Sequence, residues 1–111
     1  WDVTALYPGY AISSPGEGST LTLVFTAKEK EVSGDSGCNT YSGPFETAGT
    51  DVITLGPFAS TLRACADPAV GTQEQQYLAA LGLAKTYQVT GNQLTLFRAG
   101  GTIAVTAQRA T

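Results

Sequence analysis

The chain contains no histidine and no methionine. The lack of histidine removes the commonest general base, the Ser–His and Cys–His nucleophile pairs and most zinc sites. Carboxylates are few, and no two of them lie at a spacing that indicates shared acid–base chemistry. No glycine-rich phosphate loop followed by Lys-Ser/Thr occurs in the sequence. We therefore expect a protein that is not an enzyme and that has no cofactor and no metal.

Charge is also scarce, since charged residues make up 14% of the chain and the net charge is −3. The basic residues are scattered and form no stripe that could follow a phosphate backbone, so we expect no nucleic-acid partner. No apolar run approaches the roughly 18 residues of a membrane-spanning helix, so we expect no span within this chain. The chain begins at Trp1 and not at methionine, which indicates that a leading sequence has been removed.

Only two cysteines are present, Cys38 and Cys65. An even number in a chain with little charge favours one disulfide and an extracytoplasmic protein. Two buried free thiols are the alternative. A third hypothesis makes Cys38 a nucleophile, but reactive cysteines usually depend on a nearby cation or a helix N-terminus, whereas the nearest charged residue in the sequence is Asp35. A structural half-cystine is therefore the favoured interpretation.

Glycine and threonine are abundant instead, and they favour turns and strands respectively. Alternation of apolar and polar residues predicts eight strands, over residues 1–5, 20–26, 31–33, 40–46, 52–55, 85–90, 93–97 and 102–107. Pro44 has no backbone N–H, so the strand that contains it should be an edge strand or be interrupted there. Gly91-Asn92 suits a two-residue hairpin turn.

One helix is predicted over about residues 73–83. Thr72 would be its N-cap, Gln75 would complete a capping box, and Tyr77, Leu78 and Leu81 recur at helical spacing. The expected fold is therefore α+β, with a twisted, partly rolled antiparallel sheet of about eight strands and one packed helix. Its length indicates a single domain over residues 1–111.

The loop between the third and fourth predicted strands is the most distinctive stretch. It contains Ser36-Gly-Cys-Asn39, and Ser60-Thr61 and Ala64-Cys65 follow later in the chain. This pattern resembles the META domain of the HslJ family over nearly the whole chain. The residues that carry the motif are Gly34, Ser36, Gly37, Cys38, Asn39, Tyr41, Gly43, Ser60, Thr61 and Cys65.

The resemblance implies a small α+β domain of bacterial envelope lipoproteins and secreted proteins, with relatives in trypanosomatid parasites. It also implies links to heat stress, novobiocin resistance, motility and virulence, and no established enzyme activity. The family fold is said to be similar to that of a lipid-binding secretin pilotin.

Together these observations predict a non-enzymatic module that is periplasmic, envelope-anchored or secreted. It would bind an unidentified protein partner or have a stress-related structural role. The candidate interaction surface consists of Tyr7, Tyr10, Phe58 and Leu62, although simple covering of the core explains these residues equally well. The alternative function is the binding of a small apolar or lipid-like ligand in a pocket between sheet and helix. A thiol enzyme at Cys38 is the third and least favoured hypothesis.

Overall fold

One helix and one curled antiparallel sheet make up the part of the chain that the computed structural model describes, namely residues 1–6, 21–61 and 67–109. The helix is α1 (Pro68–Gly82), and the strands are β1 (Asp2–Leu6), β2 (Val24–Thr26), β3 (Glu31–Asp35), β4 (Thr40–Ala48), β5 (Val52–Leu55), β6 (Ala59–Ser60), β7 (Ala84–Thr90), β8 (Gln93–Arg98) and β9 (Ile103–Gln108). The prediction of an α+β fold, mostly β, is confirmed.

Eight of the strands follow one another in the order β1-β9-β8-β7-β5-β4-β3-β2, and the short β6 pairs with β4. The two ends of this order meet, because Val3 N donates to Leu21 O and Leu23 N donates to Trp1 O, each at 2.9 Å. Strand twist of one hand accumulates across a sheet and allows this curling. The sheet therefore forms a curled wall around one interior.

Strand β4 changes partners along its length. Its first half pairs with β3 as far as Pro44, and its second half pairs with β5 from Phe45 to Ala48. The strand itself continues through Pro44, so the predicted interruption affects the pairing and not the strand. A residue without an N–H fits a point where one ladder ends and another begins.

The helix begins earlier than the sequence pattern indicated. Asp67 is the N-cap, its side chain accepts a hydrogen bond from Ala69 N at 2.9 Å, and Pro68 occupies the first turn. Thr72 lies inside the helix and its Oγ1 donates to Pro68 O at 3.1 Å, so the predicted capping box at Thr72 is wrong. Aspartate followed by proline provides both a cap acceptor and a φ that suits the first turn. The helix therefore begins at this pair and not at the Thr-x-x-Gln pattern.

The helix packs into one end of the curled sheet. Tyr77, Ala80 and Leu81 have no exposed surface, and they belong to a single core with the inward side chains of the strands. Because adjacent strands are antiparallel, the turns at residues 27–30, 49–51 and 91–92 lie together at the opposite end. Within the described residues, no helix is long and apolar enough to cross a membrane.

Candidate functional site

The Ser36–Asn39 loop of the motif lies against the helix. Ser36 N donates to Asn39 O at 2.9 Å, which closes the loop. Gly37 has φ +122°, and a Cβ at this position would lie 3.1 Å from Val70 Cγ1 of α1. A side chain here would be strained by the backbone conformation and crowded by the helix. Glycine at this position therefore allows the loop to approach α1 closely.

Glu74 of α1 is the residue that the loop surrounds. It is only 9% exposed, because it lies on the same helix stripe as the buried Tyr77 and Leu81. Its Oε2 accepts from Ser36 Oγ at 2.7 Å and from Asn39 N at 2.9 Å, and its Oε1 accepts from Asn39 Nδ2 at 2.9 Å. A buried carboxylate is tolerated when donors surround it in this way.

These hydrogen bonds determine the acidity of Glu74. Burial by itself would raise the pKa of its carboxyl, but hydrogen bonds from the Asn39 and Ser36 side chains and from the loop backbone outweigh it. The pKa therefore lies below the ordinary value for glutamate. A carboxylate that is ionised and already accepts three short hydrogen bonds is a structural anchor and a poor general base.

The Ser60-Thr61 part of the motif attaches to the same loop. Thr61 Oγ1 donates to Asn39 Oδ1 at 2.8 Å, and the backbone of Thr61 pairs with Thr40 O at 3.0 Å. Ser60 is exposed in β6 opposite Tyr41. Cys38 Sγ lies 3.6 Å from Glu74 Oε1, and it is not a free thiol. Cys65 lies outside the described residues, so the Cys38–Cys65 pairing stays a prediction.

Tyr41 connects the motif to the helix at a second point. Its hydroxyl lies 2.9 Å from that of Tyr77. Both hydroxyls donate to Thr22 O, that of Tyr41 at 2.7 Å and that of Tyr77 at 2.9 Å. Burial raises the pKa of both phenols, so they stay protonated and act as donors. Gly34 lets Thr22 approach, because a Cβ at Gly34 would collide with the Thr22 carbonyl oxygen.

At the end of the sheet away from the helix the interior opens into a small cavity, which we call the aromatic recess. Its volume is about 200 Å³, and its lining comes from six strands or the segments beside them: Trp1, Phe25, Phe45, Thr47, Ile53, Tyr87, Val89 and Leu94. Phe25 and Phe45 pack edge to face with ring centroids 5.1 Å apart. The Arg109 guanidinium lies 4.9 Å from the centroid of the Trp1 ring. Val89 is 47% exposed, so the recess is accessible from solvent.

A larger groove of about 630 Å³ runs over the outer face of β2, β3, β4 and β6. Small residues line it, and one cross-strand row reads Val24, Ser33, Ser42 and Ala59. Among the lining residues that the structure describes, Asp35 is the one with a charge, and Tyr41, the one aromatic residue, is engaged in the core. Shallow surface of this kind offers less to a ligand than the aromatic recess does, although the groove has the larger volume.

The candidate interaction surface falls mostly on residues outside the described part of the chain, where Tyr7, Tyr10 and Leu62 all lie. Phe58 is half-buried and packs edge to face on Tyr41, with ring centroids 5.6 Å apart. It also covers Gly43, where a Cβ would lie 2.8 Å from Phe58 Cδ1. Phe58 therefore covers the core.

Two features were not recognised as sites from the sequence. The burial of Glu74 was not predicted, and the signal for it is an acidic residue on the apolar stripe of a helix. The aromatic recess combines Trp1, Phe25 and Phe45, which lie in three of the predicted strands, with residues from β5, β7 and β8. Only the closure of the sheet brings them together. In the described residues, no group of three or more His, Cys, Asp or Glu side chains could hold a metal ion.

Comparison with known proteins agrees with this architecture. An NMR structure of a protein from Burkholderia xenovorans matches with a TM-score of 0.76 and 26% identity, covering 100% of this chain and 81% of that one. A second NMR structure matches with a TM-score of 0.62 and 21% identity, covering 96% of this chain and 86% of that one, and shows the fold alone. A search of curated proteins finds no match. The family model of the META domain matches residues 1–111, the whole chain. The chain therefore belongs to the META domain family.

Proposed function

We propose that this META domain is a non-enzymatic, extracytoplasmic module that binds a partner protein by accepting one apolar side chain in the aromatic recess. The observation that supports the proposal is the recess itself. Four aromatic rings, one each from β2, β4 and β7 and one from Trp1 beside β1, surround an opening whose inner wall is the buried pair Ile53 and Leu94. Aromatic anchor pockets of this type dominate the binding energy of many protein interfaces.

The volume of the recess favours a side chain over a free ligand. Pockets for small-molecule ligands usually measure roughly 300–1,000 Å³, whereas an apolar cavity of about 150 Å³ accommodates one benzene ring. At about 200 Å³, the recess has room for one aromatic or branched aliphatic group. A single side chain presented by a protein meets this limit, and an acyl chain does not.

The alternative, an apolar or lipid-like ligand between sheet and helix, has less support. Tyr77, Ala80 and Leu81 of α1 are completely buried on the side that faces the sheet. Their side chains occupy the space in which such a ligand would lie. An apolar ligand would therefore have to use the recess at the other end, where the volume argument applies.

The proposed absence of enzymatic activity rests on the state of the two most reactive groups of the motif. The Glu74 carboxylate is saturated with hydrogen bonds, and Cys38 is not a free thiol. We further propose that Cys38 pairs with Cys65 in an oxidising compartment. Alkylation followed by intact mass, on protein never exposed to reductant, should detect no free thiol before or after denaturation. Two alkylated thiols would contradict the pairing and weaken the assignment to that compartment.

The binding proposal can be tested with peptides displayed on phage. Random peptides panned against the wild-type domain should converge on sequences that share one aromatic or large aliphatic residue. Val89→Phe should abolish capture of these peptides, because the larger side chain fills part of the recess. Val52→Phe is the matched control, since Val52 is 43% exposed on neighbouring β5 and does not line the recess.

Capture that survives Val89→Phe, or selected peptides without a shared apolar residue, would contradict the proposal. Both variants should unfold at the denaturant concentration of the wild type, since both positions are exposed on strands. Trp1 is the only tryptophan and lines the recess, so its emission should also shift when a selected peptide binds.

A further inference from the structure

We infer that the partner segment binds as an extended strand that pairs with the free edge of β4 at Thr47. This inference rests on the proposed function and adds the backbone conformation of the partner and one feature of its sequence. It follows from the hydrogen-bonding pattern of β4, from the cavity beside Thr47 and from the charge of Glu46.

Successive residues of β4 direct their backbone groups to opposite sides. Phe45 N donates to Lys30 O at 2.9 Å on the β3 side, whereas Pro44 O accepts from Gly56 N at 2.9 Å on the β5 side. N–H and C=O groups of a strand alternate with a period of two residues. Thr47, two residues beyond Phe45, therefore directs its N–H and C=O to the β3 side.

Within residues 1–6, 21–61 and 67–109, no strand occupies that side beyond Lys30. The β3–β4 ladder ends at the pair Glu31 and Pro44, and the chain between β2 and β3 turns at residues 27–30. Among the described residues, no backbone hydrogen bond reaches Thr47 from this side. A cavity of about 300 Å³ lies there instead, lined by Ala27, Lys30, Phe45, Glu46 and Thr47. Thr47 thus presents one donor and one acceptor beside an open space.

The position of Thr47 relates this edge to the aromatic recess. Its side chain lines the recess, as does that of Phe45. Residues directly opposite each other on paired strands project their side chains to the same face of the sheet. A peptide residue that exchanges two backbone hydrogen bonds with Thr47 would therefore direct its own side chain into the recess. Backbone pairing with alternate side chains in pockets is the usual form of strand addition.

Charge identifies the neighbouring residue of the peptide. Glu46 projects to the outer face, is exposed, and forms no ion pair within the described part of the chain. In an antiparallel arrangement, the peptide residue after the apolar one lies opposite Glu46. A basic residue at that position would complement the carboxylate. The inferred partner is thus an extended segment in which an aromatic or aliphatic residue is followed by Lys or Arg.

The test uses the peptide acetyl-Ser-Thr-Phe-Lys-amide, which ends before the position opposite Phe45 that Lys30 occupies, with N-methyl groups placed in turn on two of its backbone nitrogens. N-methylation of its Phe removes the donor to Thr47 O and should weaken binding by about 3- to 10-fold, as measured by NMR titration. N-methylation of its Lys is the matched control, because that nitrogen faces away from β4, and it should leave the affinity nearly unchanged. Hydrogen exchange at Thr47 N should slow when the unmodified peptide binds.

Charge reversal provides an independent test on the protein side. Glu46→Lys should lower the affinity for the peptide by about 2- to 5-fold. A peptide with Glu in place of its Lys should bind the Glu46→Lys domain with the lost affinity restored. Equal effects of the two N-methyl groups, or unchanged exchange at Thr47, would overturn the edge pairing. So would a failure of this peptide to bind while panned peptides bind in the recess. If panned peptides bind equally well to Val89→Phe, the proposed function fails, and the edge pairing, which rests on it, fails with it.

Discussion

At the scale of single residues, Glu74 is the polar centre of the motif. Its carboxylate accepts hydrogen bonds from the side chains of Ser36 and Asn39 and from the backbone of Asn39. The Ser36 hydroxyl, the Asn39 backbone N–H and the Asn39 side-chain amide all donate to it, and these hydrogen bonds favour the ionised form. The family motif thus binds a side chain of the protein itself, the Glu74 carboxylate.

Glu74→Gln tests this interpretation through stability. Its amide keeps the shape but replaces one acceptor oxygen with an NH₂ group that would face donors. The free energy of unfolding should fall by about 2 kcal/mol, which denaturant titration measures. The control is Glu31→Gln, at an exposed position of β3, which should leave the midpoint unchanged. A Glu74→Gln domain as stable as the wild type would show that the charge is dispensable.

The pH dependence of stability follows from the lowered pKa of Glu74. Since the pKa is lower in the folded state than in the unfolded state, this group contributes stability above the unfolded value of about 4.3. The contribution should decrease as the pH falls through the lower folded pKa. Unfolding midpoints between pH 6 and pH 3, compared between wild type and Glu74→Gln, should show a steeper decrease in the wild type. Parallel curves would contradict the assignment.

Tyr41 and Tyr77 should be coupled, because both donate to the same partly buried carbonyl of Thr22. Tyr41→Phe and Tyr77→Phe should each cost about 1 kcal/mol, since the other phenol still satisfies the carbonyl. The double variant removes both donors and should cost more than the sum. A double-mutant cycle by urea unfolding measures this difference, and strict additivity would show that the carbonyl has another partner.

At the scale of elements, the start of α1 distinguishes two capping signals that lie five residues apart. Asp67→Ala should destabilise the domain by about 1 kcal/mol, because the cap acceptor for Ala69 N is lost. Thr72→Ala should have little effect, since Thr72 is exposed inside the helix and alanine is a strong helix former. Thermal unfolding of the two variants gives the comparison, and the opposite order would restore the predicted capping box.

The elements themselves follow largely from local patterns in the sequence. The strand predicted over residues 20–26 contains the buried Leu21 and Leu23, and Gly91-Asn92 joins β7 and β8 as expected. The helix stripe with Tyr77 and Leu81 is also buried as predicted. Local patterns do not predict which distant strands pair. The change of partners in β4 at Pro44 and the contact of residues 21–23 with β1 depend on strands distant in the chain.

The same limit applies to the candidate site. The Ser36–Asn39 loop could be singled out from its glycine, asparagine and cysteine, but its partner Glu74 lies 35 or more residues further along the chain. The aromatic recess is even harder to predict from local sequence, because six strands or adjoining segments contribute to it. Inward-facing aromatic residues were predictable one strand at a time, whereas the cavity between them was not.

At the scale of the whole molecule, the two ends of the curled sheet differ in how they are filled. The helix fills one end, where Glu74 and the two tyrosines fasten it to the motif. The other end keeps an opening surrounded by aromatic side chains. We propose this opening as the binding site for a partner's apolar side chain.

The most direct test is a ¹H–¹⁵N NMR titration of the domain with N-acetyl-phenylalanine amide, which supplies the proposed side chain alone. We expect saturable shifts at the Trp1 indole N–H and at Ile53, Val89 and Leu94, with the helix signals of Ala80 and Leu81 unmoved. Val89→Phe should suppress these shifts and Val52→Phe should preserve them. Shifts that do not saturate, or that persist in Val89→Phe, would contradict the claim that the aromatic recess is the binding site.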